Sequence, residues 1–295
     1  MFRHGLICTD FEDGLQRLLK CAPDLAAGGL ERLVFAHSVP LWEEGGIPRV
    51  DEASIQAARD RLQSQLPTDT GGLEVILEVP SGRPADTLPK LVKQHEIDVI
   101  FTGASTRSFM QEKVFGSTTL AVAKGTRVPL MVLRPQLIST YTREELALRC
   151  RSLWRYLLIP YNDSEAAQYL LTTLKQYAQE QRPNFPKYCM LVWVVPSESR
   201  REGTERSEYR LQQARERLAV VKAELEAATG LVVHMEVRQG DTFTEIVDAA
   251  LEFDISAIAT SYISRGAVLD LATPSFANEM VRRSWFPILL FSPMS

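Results

Sequence analysis

The sequence lacks the features of several large classes of protein. No apolar run approaches the roughly 18 to 20 residues that a membrane-spanning helix needs, and mean hydropathy is only -0.09. Lys and Arg total 33 against 37 Asp and Glu, so the formal net charge is -4 and no basic excess favours binding to nucleic acid. The four cysteines stand far apart, without a C-x-x-C pair or a histidine at zinc-finger spacing. We therefore expect a cytoplasmic protein with inert thiols, no metal, and neither membrane nor nucleic acid as a partner.

Several motifs of common enzymes are also missing. The sequence has no G-x-S-x-G nucleophile elbow, no G-x-x-x-x-G-K-[ST] phosphate loop and no H-E-x-x-H metal motif. It also presents no evident general base, arginine finger or paired carboxylates for Mg²⁺. We therefore assign no catalytic residue.

The sequence does contain apolar, β-branched runs that alternate with helical patterns. This alternation predicts parallel sheets covered by helices on both faces, the doubly wound α/β architecture. Trp42 and the four residues after it predict an exposed loop with one packed aromatic, although a lid is an alternative. The predicted strands after the first are Leu33–Val39, Val75–Val79, Val99–Thr102, Val128–Leu133, Tyr156–Pro160, Met190–Val195, Val232–Val237, Ala257–Thr260 and Pro287–Phe291.

The order of features in the first half returns in the second half. Gly82 corresponds to Gly240 (240 − 82 = 158), and Pro129 corresponds to Pro287 (287 − 129 = 158). Such constant offsets indicate an internal duplication. We predict two tandem doubly wound, Rossmann-like domains at residues 1–137 and 153–295, joined by a polar stretch.

The carboxyl ends of the strands are where ligands bind in such sheets. The first strand ends in Cys8-Thr9-Asp10 and the fourth ends in Thr102-Gly103. Gly103 allows a ligand close to the backbone, and Asp10 is placed to accept hydrogen bonds from a ribose or a base. Further along, a helix is predicted to open with free N–H groups and three hydroxyls that suit an anion, at Gly116, Ser117, Thr118 and Thr119.

These segments resemble a known family. "GASTRSFMQEKVFGSTT" is similar to the G-2x-G-9x-G-[ST] loop of the universal stress protein family, and "ICTDFED" is similar to its first strand with the aspartate. The resemblance covers nearly the whole chain as two copies. It implies that Thr9 and Asp10 lie near an adenosine, with Thr102 and Gly103 at the end of the fourth strand. It also implies that phosphate contacts Gly116, Ser117 and Thr119.

The first copy departs from the family pattern at one position. Thr106 stands where the second glycine of the loop is expected, and a threonine resists the left-handed conformation at a cost on the order of 1 kcal/mol. This departure weakens the case for binding. The alternative is that Gly103 and Gly116 only serve tight turns.

The second copy departs much further. Thr260, Ile263 and Thr273 replace the three glycines, Pro274 replaces the serine that follows, and Asn162 stands where the first copy has Asp10. Proline removes an N–H donor that an anion would use. The second copy is therefore predicted to keep the fold and to lack the phosphate site.

The leading hypothesis is a stress-response protein that binds ATP or another adenine nucleotide in its first domain. The second domain would be structural or would face an unknown regulatory partner. Slow ATP hydrolysis stays open. The alternatives are a nucleotide-free interaction scaffold of the same fold and a hydrolase or ligase on a related fold.

The final strands of the two copies lead to one further expectation. Each is apolar and would otherwise leave an exposed edge, so we expect the domains to meet there as a pseudo-dimer that can associate further. We expect two separate units at this junction rather than one continuous ten-stranded sheet.

Overall fold

Strands and helices alternate along the chain. The protein is described by a computed structural model, which covers residues 1–44, 47–103, 126–197, 204–262 and 275–292. The described strands are β1 His4–Cys8, β2 Arg32–Ala36, β3 Trp42–Glu44, β4 Ile47–Arg49, β5 Glu74–Glu78, β6 Val99–Gly103, β7 Leu130–Leu133, β8 Tyr156–Pro160, β9 Tyr188–Val195, β10 Val232–Gln239, β11 Ala257–Ser261 and β12 Ile288–Phe291.

The described helices include one 3-10 helix, Leu15–Cys21, which leads directly into an α-helix. Several α-helices begin after a side chain that accepts a hydrogen bond from the N–H three residues on, which satisfies one free donor of the first turn. Asp51, Ser164, Asp241 and Ser275 act in this way. The α-helices are Ala22–Ala27, Glu52–Gln63, Pro84–Gln94, Pro135–Thr140, Arg143–Arg151, Glu165–Gln179, Thr204–Thr229, Thr242–Glu252 and Phe276–Arg283.

Each half forms a five-stranded parallel sheet with the same spatial order. The first half has the order β7-β6-β1-β2-β5 and the second half has β12-β11-β8-β9-β10. In each unit the chain runs outward in one direction and then returns to the other side of its own first strand. This confirms the prediction of two tandem doubly wound units, which we call the first unit and the second unit.

The junction between the two units corrects one expectation. The final strands do meet, but they pair edge to edge and antiparallel, so the two halves form one continuous ten-stranded sheet. The expectation of two separate sheets is therefore wrong. The physical reason is that backbone hydrogen bonding between β7 and β12 removes both exposed apolar edges at once.

The pairing at this junction is symmetric in the duplicated numbering. Met131 of β7 lies opposite Leu289 of β12, and 289 − 131 = 158 makes Leu289 the counterpart of Met131. Both side chains are fully buried. An apolar core layer covers each face of the sheet, and each layer includes residues of both units. The junction is therefore part of a shared core.

The polar stretch between the units is folded into helix. The helix Arg143–Arg151 begins with a capping box, in which Thr142 and Glu145 exchange hydrogen bonds, and it buries Leu146 and Cys150. Arg151 on the same helix forms an ion pair with Asp24 of the first unit, with 2.7 Å between Nε and Oδ1. The connection thus packs against the first unit.

The segment at Trp42 differs from its predicted loop. β3 and β4 form an antiparallel hairpin beyond the carboxyl end of β2, and the Trp42 side chain is 46% exposed. The expected packed aromatic is therefore wrong, because the hairpin projects away from the core.

Candidate functional site

The first unit reverses its strand order between β1 and β6. β1 pairs with β6 in parallel, with Ile7 opposite Phe101, so the residues after both strands leave the sheet side by side. Thr9 and Asp10 follow β1, while Thr102 and Gly103 end β6. The structure therefore brings together these four predicted residues at the switch point, the position where open α/β sheets bind ligands.

The loop after β1 is ordered by its own side chains. The Thr9 hydroxyl donates to Asp13 Oδ1 at 2.9 Å and accepts from the N–H of Phe11 at 3.0 Å. Phe11 has a φ of 65°, a conformation that a non-glycine residue adopts at a cost. Thr9 is buried, so its hydroxyl holds the loop rather than facing solvent.

Only one of the two carboxylate oxygens of Asp10 accepts hydrogen bonds from the described residues. Its Oδ1 accepts from the N–H groups of Glu12 and Asp13, at 2.9 and 3.0 Å. Its Oδ2 has no hydrogen-bond partner in the part of the chain that the structure describes, and the side chain is exposed. The loop thus fixes the orientation of the carboxylate and leaves an acceptor free at the switch point.

Asp13 is a residue of this loop that the sequence analysis missed. Burial raises the pKa of its carboxyl to about 6, against the hydrogen bonds from Leu15 N–H and the Thr9 hydroxyl, which lower it. Asp13 accepts the hydrogen bond of the Thr9 hydroxyl, which orders the loop. The protonation of Asp13 therefore affects a contact that holds the loop in place. An acidic residue four positions after a strand-end threonine is too common a pattern to have signalled this role.

A stacked cluster borders the same edge of the sheet. The Phe11 ring lies 4.4 Å from the His37 ring between centroids, and the Arg61 guanidinium carbon lies 4.3 Å from the Phe11 centroid. His37 also donates from Nδ1 to the Thr9 carbonyl oxygen at 2.9 Å. These contacts place a cation and two rings beside the strand ends, and no motif in the sequence indicated them.

Five of the predicted residues belong to the sequence that follows β6. Thr106, Gly116, Ser117, Thr118 and Thr119 lie outside the described residues, so the phosphate loop stays a prediction. Thr102 is 4% exposed at the end of β6.

The second unit carries the equivalent switch point between β8 and β11. Tyr161 and Asn162 follow β8, and Thr260 and Ser261 end β11. A cavity of about 1140 Å³ opens at these strand ends. Ile263, Thr273 and Pro274 lie outside the described residues.

A comparison with protein families decides the identity of both units. The profile of the Universal stress protein family matches residues 1–134 and 154–292. The chain belongs to the universal stress protein family. No curated protein matches the chain.

Solved structures of this family share the fold across the whole chain. A universal stress protein from Archaeoglobus fulgidus DSM 4304 is 18% identical, with a TM-score of 0.65 and 98% of each chain covered. A putative universal stress protein from Pseudomonas aeruginosa UCBPP-PA14 is 15% identical, with a TM-score of 0.56, 99% of this chain and 94% of that chain covered. At these identities the comparison supports the fold alone.

No three His, Cys, Asp or Glu side chains within the described residues are grouped to hold a metal ion. No helix within the described ranges is long and apolar enough to cross a bilayer. All four cysteines are buried free thiols.

Proposed function

We propose that the first unit binds an adenine nucleotide, with ATP as the first candidate. The observation that carries this proposal is the convergence of Asp10 with Thr102 and Gly103 at the β1–β6 switch point. The free Oδ2 of Asp10 is an acceptor suited to ribose hydroxyls, and Gly103 leaves room for a ligand beside the backbone. The family resemblance of the loop from Gly103 to Thr119 supports the same ligand.

The phosphates would be held by the loop and helix start beyond β6. Free N–H groups and the positive end of a helix dipole suit an anion, and neighbouring hydroxyls add donors. The residues proposed for this role are Thr106, Gly116, Ser117, Thr118 and Thr119. The proposed role is binding rather than catalysis, since the family resemblance is to a nucleotide-binding loop and the sequence carries no recognised catalytic motif.

The wider proposal concerns the rest of the chain. We propose a cytoplasmic stress-response protein with domains at 1–137 and 153–295, in which the second unit is structural or faces a regulatory protein. The intramolecular pseudo-dimer can associate further into a homo-oligomer.

Calorimetry with ATP tests the nucleotide proposal. We expect one site per chain, abolished by Asp10→Ala and by Gly116→Val. The matched control is Asn162→Ala, which changes the equivalent position of the second unit and should leave the isotherm unchanged. Two sites per chain, or a site lost in Asn162→Ala, would overturn the assignment to the first unit. No binding at millimolar ATP would favour the nucleotide-free scaffold and would make Thr106→Gly the first reversion to try.

A further inference from the structure

The cavity of the second unit is the feature that the nucleotide proposal does not use. It opens where β8, β9 and β11 end, and its volume of about 1140 Å³ is slightly above the roughly 300 to 1,000 Å³ of typical small-molecule sites. Three helices begin at its rim, after Ser164, Asp241 and Ser275. The duplicated fold thus keeps a ligand-sized space although the family motif is lost.

The wall of this cavity is mainly apolar. Tyr161 and Trp193 form an edge-to-face pair on it, with 5.8 Å between ring centroids. Apolar and aromatic walls of this kind hold the body of a small molecule away from water. The other apolar residues that matter here are Val192, Val194, Ile246 and Phe276.

A threonine at the strand end provides a polar anchor. Thr260 lines the cavity and is 7% exposed, and its hydroxyl has no hydrogen-bond partner among the described residues. The hydroxyl can therefore exchange a hydrogen bond with a ligand or a water in the cavity. The sequence comparison pairs Thr260 with Gly103, but the strand register corrects this: Thr102 lies opposite Val132 and Thr260 opposite Leu290 (290 − 132 = 158), so Thr260 is the counterpart of Thr102. Ser261, and not Thr260, stands at the strand position of Gly103.

The described lining of the cavity carries three carboxylates and two arginines, Arg282 and Arg283, so it has no excess of positive charge for a phosphate ester. Each of the three helix starts carries a carboxylate next to the cavity, at Glu165, Asp241 and Glu279. Arg283 is held by an ion pair with Glu279 and by stacking on Phe243 at 4.0 Å from the ring centroid. These carboxylates offset the positive ends of the helix dipoles, which are the groups that would otherwise attract an anion.

A charge reversal marks the same difference between the units. Asp241 precedes the helix Thr242–Glu252, and its counterpart before the helix Pro84–Gln94 is Arg83 (241 − 83 = 158). A carboxylate therefore stands in the second unit where the first unit has a cation.

We propose that the cavity of the second unit binds an uncharged, largely apolar small molecule of about nucleoside size, with the Thr260 hydroxyl as its polar anchor. This ligand is chemically distinct from the nucleotide proposed for the first unit. The two sites are independent, so one can be present without the other.

Titration of the full chain with the neutral dye Nile red tests this proposal through the rise in dye fluorescence in an apolar site. We expect saturation at one dye per chain. Ala166→Trp introduces a large side chain at the cavity wall and should weaken binding at least tenfold. Ala178→Trp is the matched control, because Ala178 lies on the same helix, is also half-buried and does not line the cavity. This control should bind the dye as the unmodified chain does.

A second variant and a competition experiment complete the test. Thr260→Phe, with its melting temperature measured in parallel, should also weaken dye binding at least tenfold, while Asp10→Ala should not change it. Millimolar ATP should not displace the dye. Equal dye binding in Ala166→Trp and Ala178→Trp, or displacement by ATP, would overturn the proposal. Loss of ATP binding in Asp10→Ala with dye binding retained would support both sites independently.

Discussion

In the first unit the second residue after β1 is Asp10, whose Oδ2 has no hydrogen-bond partner among the described residues. In the second unit the same position is Asn162, whose Oδ1 accepts from the N–H of Ser164 at 3.3 Å. Both carboxylate oxygens of the next residue, Asp163, accept hydrogen bonds. Oδ1 accepts from the Tyr161 hydroxyl at 2.7 Å, and Oδ2 accepts from Arg217 Nε at 2.7 Å. The first unit therefore leaves a carboxylate oxygen available to a ligand, whereas in the second unit the nearest carboxylate is already bonded to that unit's own side chains.

This difference shows where the duplicated fold is constrained. The strand order, the junction and the two core layers are common to both units, because each depends on apolar residues that must be buried. The polar side chains that follow the first strand of each unit, Asp10 and Asn162, are exposed and belong to neither core layer. They could therefore differ between the units without loss of the core.

The largest expected effect is at the junction, where the two units share one sheet and both core layers. Leu289→Lys places a charge at a fully buried position opposite Met131, and an unpaired buried charge costs several kcal/mol. We expect a loss of more than about 4 kcal/mol in the free energy of unfolding, with both units unfolding in a single transition on denaturant titration. Leu251→Lys is the control, since Leu251 is 55% exposed and should change stability by less than about 0.5 kcal/mol. Two separate transitions would contradict the shared core.

A smaller effect is expected from the buried carboxyl of the first loop. The pKa of Asp13 is raised from 3.8 to about 6, so its ionisation disfavours the folded state. Its contribution to stability is fully present below pH 4 and is lost as the pH rises through 6. Asp13→Asn keeps the acceptor for Thr9 and Leu15 without the charge. We expect it to be more stable than the unmodified chain at pH 7, on the order of 2 kcal/mol, with no gain at pH 4.

The control for that prediction is the equivalent position of the second unit. Glu165 corresponds to Asp13 by the same offset that relates Asn162 to Asp10 (165 − 13 = 152, 162 − 10 = 152), and it is exposed. Glu165→Gln should leave the pH dependence of unfolding between pH 4 and 6 unchanged. An Asp13→Asn variant that retains the slope of the unmodified chain would show that Asp13 does not titrate with folding.

Much of the fold could be predicted from the sequence because its strands are short, apolar runs. Tyr156–Pro160 has the predicted bounds, and Ala257–Ser261 differs from its prediction by one residue. The predicted strand Leu33–Val39 ends earlier, at Ala36, because Val39 leaves the ladder for an isolated bridge to Ser81. The sequence predicts that the final strands of the two units meet. Whether they form backbone hydrogen bonds and join the two sheets depends on how the edges of the sheets are oriented, which no local sequence pattern indicates.

The candidate site was less predictable for a related reason. Asp10, Thr102 and Gly103 end strands, so their convergence follows from topology. His37 and Arg61 reach the same edge from β2 and from the helix Glu52–Gln63, and only tertiary packing brings them to Phe11. The free Thr260 hydroxyl likewise depends on what surrounds it rather than on the sequence nearby.

The loop of the second unit provides a modest test of the comparison. Tyr161 is buried and its hydroxyl donates to Asp163, so Tyr161→Phe should cost about 1 kcal/mol of unfolding free energy by loss of one hydrogen bond. Tyr188→Phe is the control, because the Tyr188 hydroxyl has no hydrogen-bond partner within the described ranges. Chemical denaturation measures both variants. An equal change in the two would mean that Asp163 is not held by Tyr161.

The smallest expected effect is at the ion pair that occupies Asp163. The Arg217 and Asp163 side chains are 53% and 32% exposed, and such pairs contribute roughly 0.2 to 1 kcal/mol. Arg217→Met should therefore lower the free energy of unfolding only slightly, and less at high salt. Arg215→Met on the same helix is the control, since no ion pair of Arg215 occurs in the described part of the chain.

The number of ATP molecules bound per chain by Arg217→Met is the more informative measurement. Loss of the Arg217 ion pair to Asp163 should not create a second site, because Ser261 still stands at the strand position of Gly103 and Asp241 still stands at the position of Arg83. A second ATP site in Arg217→Met would show instead that one ion pair, and not the strand ends and helix starts, separates the two units.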